Sequence, residues 1–217
     1  MGINIPKTWT FRDSNVAEGF DEHVREQLPW YDMTSNAIAH IGRHFITDGG
    51  LVYDIGASTG NIGKCLGETL AERNGRLIAI EPSPDMARLY EGGGILVEQR
   101  VQDITFQPYD FAVSHLALCF LNREDREEVL KNVLSARKRG GAFVMLEKTE
   151  TCKGYAASVM LRLVLAEKLR MGASPDEIID KELSLAGQQI PFAQWEIPDG
   201  SVEWFRYGDF AGYLFTD

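Results

Sequence analysis

Residues 51–63 read LVYDIGASTGNIG. LVYDI is a short apolar run closed by turn residues, the pattern of a strand buried on both faces. The glycines at 56, 60 and 63 and the helical spacing of Ile62, Cys65, Leu66 and Leu70 place a tight turn between that strand and a helix. Ligands of open parallel sheets sit at such turns, beyond the carboxyl ends of the strands, where free helix N–H groups attract anions. A phosphate loop needs G-x-x-x-x-G-K-[ST], but here Gly63-Lys64 is followed by Cys65. A dinucleotide loop needs G-x-G-x-x-G, and Ser58 stands at the middle position.

The spacing suits acid-x-G-x-G-x-G, the S-adenosylmethionine loop, met as Asp54-Ile-Gly56-Ala57-Ser58-Thr-Gly60 with serine for the middle glycine. In this arrangement Gly56 and Gly60 let the amino-acid end of the ligand approach the backbone. A nearby acceptor takes its ammonium, and the helix N-terminus suits its carboxylate. Glu81, followed by Pro82, closes the next apolar run, GRLIAIE. A carboxylate there accepts both hydroxyls of a free ribose and repels a 2′-phosphate, which fits NAD as well as S-adenosylmethionine.

Outward from this unit, strand and helix signals alternate, so the expected fold is α/β, a mostly parallel Rossmann-like sheet covered by helices. In SPDMARLYEG, Ser83 is a predicted N-cap with Pro84 at the first helical position. GILVEQ and DFAVSHLAL read as strands three and four. NREDREEVLKNVLSARKRGG reads as an amphipathic helix capped by Asn122, with bases in its last turn and a stop at Gly140. GAFVMLEK is the fifth strand. From Thr149 to Gly187 the pattern is helical without strands, an inserted lobe. The runs 201–207 and 209–216, parted by Gly208, predict a terminal antiparallel hairpin. One domain spanning 1–217 is expected, with 1–45 as a helical cover and 149–187 as a lobe over the site.

Net charge is −10, from 32 acids against 22 bases. That argues against a large nucleic-acid footprint. The three cysteines, Cys65, Cys119 and Cys152, form no C-x-x-C pair, so neither a disulfide framework nor a metal site is expected. The start lacks a signal-peptide pattern, and Pro6 excludes an N-myristoylation motif at Gly2. No window approaches 18 uninterrupted apolar residues. A soluble, reduced, cytoplasmic protein is expected, without membrane attachment.

WTF, VAEGFDEHVREQLPWY, VYDIGASTG, IAIEPSPDM, LCFLNREDREEVL, GGAFVMLEK and EWFRYGDFAG together resemble the carboxy-S-adenosyl-L-methionine synthases, class I methyltransferase-fold enzymes of tRNA wobble-uridine modification. The similarity covers most of residues 9–150 and returns at the final hairpin. It implies that Tyr31, Gly56 to Ser58, Glu81 and His115 hold S-adenosylmethionine or its carboxylated form. The family usually has Asn where His115 stands. The family's adenine-contacting acid aligns near Arg100, which leaves Asp103 as the substitute. The family's carboxylate-binding Arg falls on Glu182, and a carboxylate there would repel a carboxylate by roughly 4 kcal/mol at about 4 Å.

The expected function is therefore S-adenosylmethionine-dependent methyl transfer to a small molecule, with Tyr31, His115 and Arg162 on the substrate side. His115 is the expected general base if it titrates near neutrality. Carboxy-S-adenosylmethionine synthesis from prephenate, with a relocated cation among Lys181, Arg170, Arg162 and Arg206, is the alternative. A non-catalytic binder of the same ligand is the third. SHLALCF lacks the N/D/S-P-P-Y/F/W segment of base-methylating DNA enzymes. The resemblance also implies a homodimer.

Overall fold

The computed structural model describes residues 3–150 and 153–217, so Gly2 and Cys152 lie outside the described residues. Two helices, α1 (Ser14–Gln27) and α2 (Tyr31–Phe45), precede the sheet. Then β1 (Leu51–Ile55), α3 (Asn61–Glu72), β2 (Arg76–Ile80), α4 (Pro84–Ala87), β3 (Ile95–Val97), β4 (Tyr109–His115), α5 (Arg123–Ala136) and β5 (Arg137–Lys148) alternate. The lobe helices α6 (Tyr155–Arg170) and α7 (Pro175–Ser184) follow, and β6 (Val202–Tyr207) and β7 (Phe210–Phe215) close the chain. The sheet has seven strands in the order β3-β2-β1-β4-β5-β7-β6. The first five run parallel, while β7 lies antiparallel between β5 and β6.

Strand periodicity explains the two core layers. Leu51, Tyr53 and Ile55 point to the face packed against Val129, Leu130 and Val133 of α5. Val52, between them, points to the opposite face with Ile38 of α2 and Ile62 and Leu66 of α3. Both faces are covered, so β1 is apolar throughout except at Asp54, which is also buried. A lone acid in a doubly covered strand marks a position with another task.

Local signals account for most boundaries. The Ser83 side chain accepts the Met86 N–H, with Pro84 opening α4, and Asn122 accepts from Asp125 N at the start of α5. The Ser174–Glu177 capping box opens α7. One boundary differs from the sequence expectation. Helix α5 ends at Ala136, and 137–139 join the sheet instead of forming its last turn. Asp110, buried at the foot of β4, accepts from Thr47 and Leu51 N and takes its counter-charge from Lys138 at 2.6 Å. Arg137 pairs with Asp217 at 2.8 Å. These partners draw the basic run into β5, where the register shifts between Tyr109 and Phe111.

The lobe is anchored from below by Arg126, fully buried on α5. Its guanidinium donates to the Ile190 and Leu121 carbonyls, pairs with Glu196 at 3.0 Å and lies over the Phe192 ring. This fixes the segment returning from α7 to the hairpin, and with it the position of α6 and α7 above the strand ends.

Candidate active site

At the end of β1 the chain turns through left-handed conformations at Gly56 (φ 72°), Ser58 (φ 52°) and Gly60 (φ 93°). A side chain at Gly56 would place its Cβ 2.3 Å from that of Ala117, in the loop after β4. The two strand-end loops thus touch, and Glu147 holds the second one in place. Its carboxylate, fully buried in β5, accepts from the Ser114 hydroxyl at 2.6 Å and from the Ala117, Leu118 and Cys119 amides at 3.0–3.3 Å.

Glu81 is fixed in a similar way, its two oxygens accepting from Ser58 N and Ser83 N at 2.8 Å each. Asp54 stands beside it, and its Oδ2 is buried with no hydrogen-bond partner among the described residues. Burial first, then the Glu81 charge, pushes the Asp54 carboxyl up to about 7. Two carboxylates facing one cavity, one of them orphaned, make an acceptor pair suited to a cationic ligand carrying hydroxyls. Ser58 Oγ and His115 Nδ1 are also buried with no hydrogen-bond partner among the described residues. The His115 ring stacks on Tyr31 at 4.8 Å and its Nε2 lies 3.2 Å from the Thr34 hydroxyl.

These groups line one cavity of about 430 Å³. Tyr31, Asp54, Gly56, Ala57, Ser58, Glu81, Pro82 and His115, all marked out from sequence, border it. Its roof is the stretch before α1. Trp9 N donates to the Ser184 carbonyl at 2.8 Å, and the Ser83 hydroxyl donates to the Phe11 carbonyl. Its far end is formed by Lys148, Lys168, Lys181 and Glu182.

Four sequence expectations need correction. Gly60 does not border the cavity. A Cβ there would meet Gly92 N at 2.2 Å, so this glycine and Gly63 admit the 90–94 loop, not a ligand. We expect Gly60→Ala to cost about 2 kcal/mol in urea unfolding, from the left-handed backbone and the clash. The folded variant should keep its affinity for S-adenosylhomocysteine. Asp103 is exposed and tied to Arg100 at 3.0 Å; Arg100, Val101 and Gln102 border the cavity instead. Arg162 lies on the exposed side of α6, away from the cavity. Finally, burial pushes His115 down to about 3, so it stays neutral and has no titration near neutrality with which to serve as base.

Several site residues carry no motif and were missed. Asp21 on α1 accepts from the Thr59 hydroxyl at 2.9 Å and the Asn61 amide at 2.6 Å, fastening the helical cover to the glycine loop. Lys168 pairs with Glu182 at 2.9 Å, and Lys148 approaches the same carboxylate at 3.9 Å. The one signal available was an acid or base interrupting an apolar run, as at Glu147 in FVMLEK.

Comparison with known proteins decides the family. The carboxy-S-adenosyl-L-methionine synthase of Staphylococcus epidermidis is 31% identical to this chain over 96% of its length and 97% of the relative's. The chain belongs to the carboxy-S-adenosyl-L-methionine synthase family. A family described as "Methyltransferase domain" matches residues 53–145. The fold is shared with human N-acetylserotonin methyltransferase, solved in complex with SAM (TM-score 0.57, 11% identity, 94% of this chain and 56% of that one). It is also shared with an O-methyltransferase family protein from Burkholderia thailandensis (TM-score 0.60, 13% identity, 93% and 59%). As a member of this family the chain is an S-adenosylmethionine-dependent transferase with a class I methyltransferase fold. Its cavity fits that cofactor. The orphaned Asp54 oxygen suits an ammonium, and Glu81, locked by two amides, is aimed to accept from a diol.

Proposed function

We propose that this chain transfers a one-carbon group between S-adenosylmethionine and a small carboxylic acid. One observation carries the proposal: a single cavity has acidic acceptors, Asp54 and Glu81, at one end and three lysines, Lys148, Lys168 and Lys181, at the other. Asp54 and the turn Gly56–Ser58 would hold the amino-acid end of the cofactor, and Glu81 with Pro82 the ribose. Tyr31 and His115 would close over the reacting centre and exclude water. The bound cofactor supplies an activated methyl group on a sulfonium. What the chain adds is placement of the acceptor, which supplies much of the rate gain in such reactions. Methyl transfer to the acid is the first reading.

Carboxy-S-adenosylmethionine formation from prephenate is the second, and a specific observation favours it. Glu182 stands where the family's Arg is expected, yet Lys168 and Lys148 flank its carboxylate, so that it does not face the cavity as a lone negative charge. Lys168 and Lys148 draw the Glu182 carboxyl below the usual range despite its burial. Lys181 is left to meet an anion.

Incubating the protein with methyl-labelled S-adenosylmethionine and a panel of small acids that includes prephenate separates the two. Label on an acid with release of S-adenosylhomocysteine supports methyl transfer. A cofactor product heavier by one carboxylate supports the second reading. Neither product from any acid would overturn both.

A homodimer is part of the proposal. Tyr155, Val159 and Leu163 recur along the exposed side of α6, an apolar face suited to a second copy. We place the chain in the cytoplasm, where the free thiols of Cys65 and Cys119 persist, with no direct nucleic-acid or membrane partner. No helix among the described residues is long and apolar enough to cross a membrane.

A further inference from the structure

The far end of the cavity presents more polar atoms than the fold itself uses. His23 and Gln27 lie one turn apart on α1, both border the cavity, and each is 7% exposed. His23 Nε2 and Gln27 Oε1 have no hydrogen-bond partner among the described residues, and neither has Trp9 Nε1. The His23 ring stacks on the Trp9 indole at 5.7 Å. Lys181, buried on α7, lays its amine against that same indole while Glu182 turns to Lys168. Buried polar groups in folded proteins are almost always paired, and unpaired ones on residues that border a cavity point to a ligand there. Of these three, Trp9 Nε1 is a donor, Gln27 Oε1 an acceptor, and the His23 nitrogen serves as either according to its tautomer; the Lys181 amine beside them is a further donor.

We infer that Trp9, His23, Gln27 and Lys181 form the subsite for the second substrate, and that this substrate is a small 2- or 3-hydroxy acid. Its carboxylate meets Lys181 Nζ and Trp9 Nε1, and its hydroxyl donates to Gln27 Oε1. The inference rests on the reading that the second substrate is a small acid and adds the group beside the carboxylate. Gln27 Oε1 needs a donor, which an ionised carboxylate lacks. An ammonium would face Lys168 and Lys181, so a neutral hydroxyl is the group that fits. Phe11, Phe120 and Leu185 line the walls and suit an apolar body.

Titration of the site supports the same picture. Burial first, then Lys181 and Lys168, pushes His23 down to about 4, against the opposing pull of Glu177. Burial first, then Lys168 and Lys148, pushes Lys181 down to about 5, with Glu182 opposing. Before the acid binds, Lys181 is therefore neutral near pH 7. Acid binding returns a proton to it, so affinity falls as pH rises.

The test is calorimetric titration of phenyllactate, and of phenylpropionate as its hydroxyl-free match, into protein loaded with S-adenosylhomocysteine. Phenyllactate should bind one to one, with proton uptake visible as a buffer-dependent heat, and at least ~10-fold tighter than phenylpropionate. Gln27→Leu should erase that preference, and Trp9→Phe should weaken both acids. Lys181→Met should abolish both while raising the melting temperature, because it removes a buried amine. Equal binding in wild type, Gln27→Leu and Lys181→Met would overturn the subsite. No saturable binding of either acid, with S-adenosylhomocysteine still bound, would overturn the small-acid reading itself and the subsite with it.

Discussion

Asp54→Asn is expected to weaken S-adenosylhomocysteine binding roughly 100-fold, the ~3 kcal/mol that a buried charge-assisted hydrogen bond supplies. The same substitution should stabilise the free protein. In the wild type the carboxyl is buried beside Glu81 with one oxygen unpartnered, which raises it to about 7. A carboxyl raised in the folded state costs nothing below its unfolded value, near pH 4, and costs fully above pH 7. The variant's advantage should therefore grow between about pH 4 and pH 7, towards roughly 4 kcal/mol at most. Ligand affinity of the wild type runs the other way, because the ammonium needs the ionised form, and rises with pH through 7. Calorimetry with S-adenosylhomocysteine and melting curves across this range measure both. A variant that binds as the wild type does would remove Asp54 from the site.

Glu147→Ala should cost about 4 kcal/mol in urea unfolding. The buried carboxylate accepts from three backbone amides and the Ser114 hydroxyl. Each stranded buried donor costs about 1–3 kcal/mol, offset in part by the relief of a buried charge. The loop so released includes Ala117, which packs on Gly56, and Leu116, held at φ 63°. Affinity for S-adenosylhomocysteine should therefore fall about tenfold even where the variant remains folded. A loss of under about 1 kcal/mol with unchanged affinity would show that the loop holds itself.

The cofactor end of the site was legible because its chemistry is local. Asp54, Gly56 and Ser58 sit within five residues, and Glu81 directly follows the adjacent strand β2, which pairs in register with β1. The hairpin was legible from two β-rich runs around Gly208. The substrate end was not legible, because it is assembled from α1, β5, α6 and α7, which no spacing connects. Lys168 lies in YAASVMLRLVLAEKL, a helix apolar on nearly every side, so its inward face cannot be picked out from the pattern. Arg162 looked suited to the task and points to solvent, while Lys168, two turns on, points inward. Gly60 misled for a related reason: its constraint is a neighbour in space, Gly92, in a glycine tract that reads only as a loop. The basic end of α5 misled because the pull on Lys138 comes from Asp110, across the sheet.

The most direct test of the account is native mass spectrometry of the wild-type protein and Asp54→Asn, each mixed with equal concentrations of S-adenosylmethionine and NAD. The account predicts one S-adenosylmethionine (or its carboxylated form) per wild-type chain and, on the variant, an occupancy lowered in line with the roughly 100-fold loss of affinity. Wild-type protein that takes up NAD, or that leaves S-adenosylmethionine unbound, would contradict it.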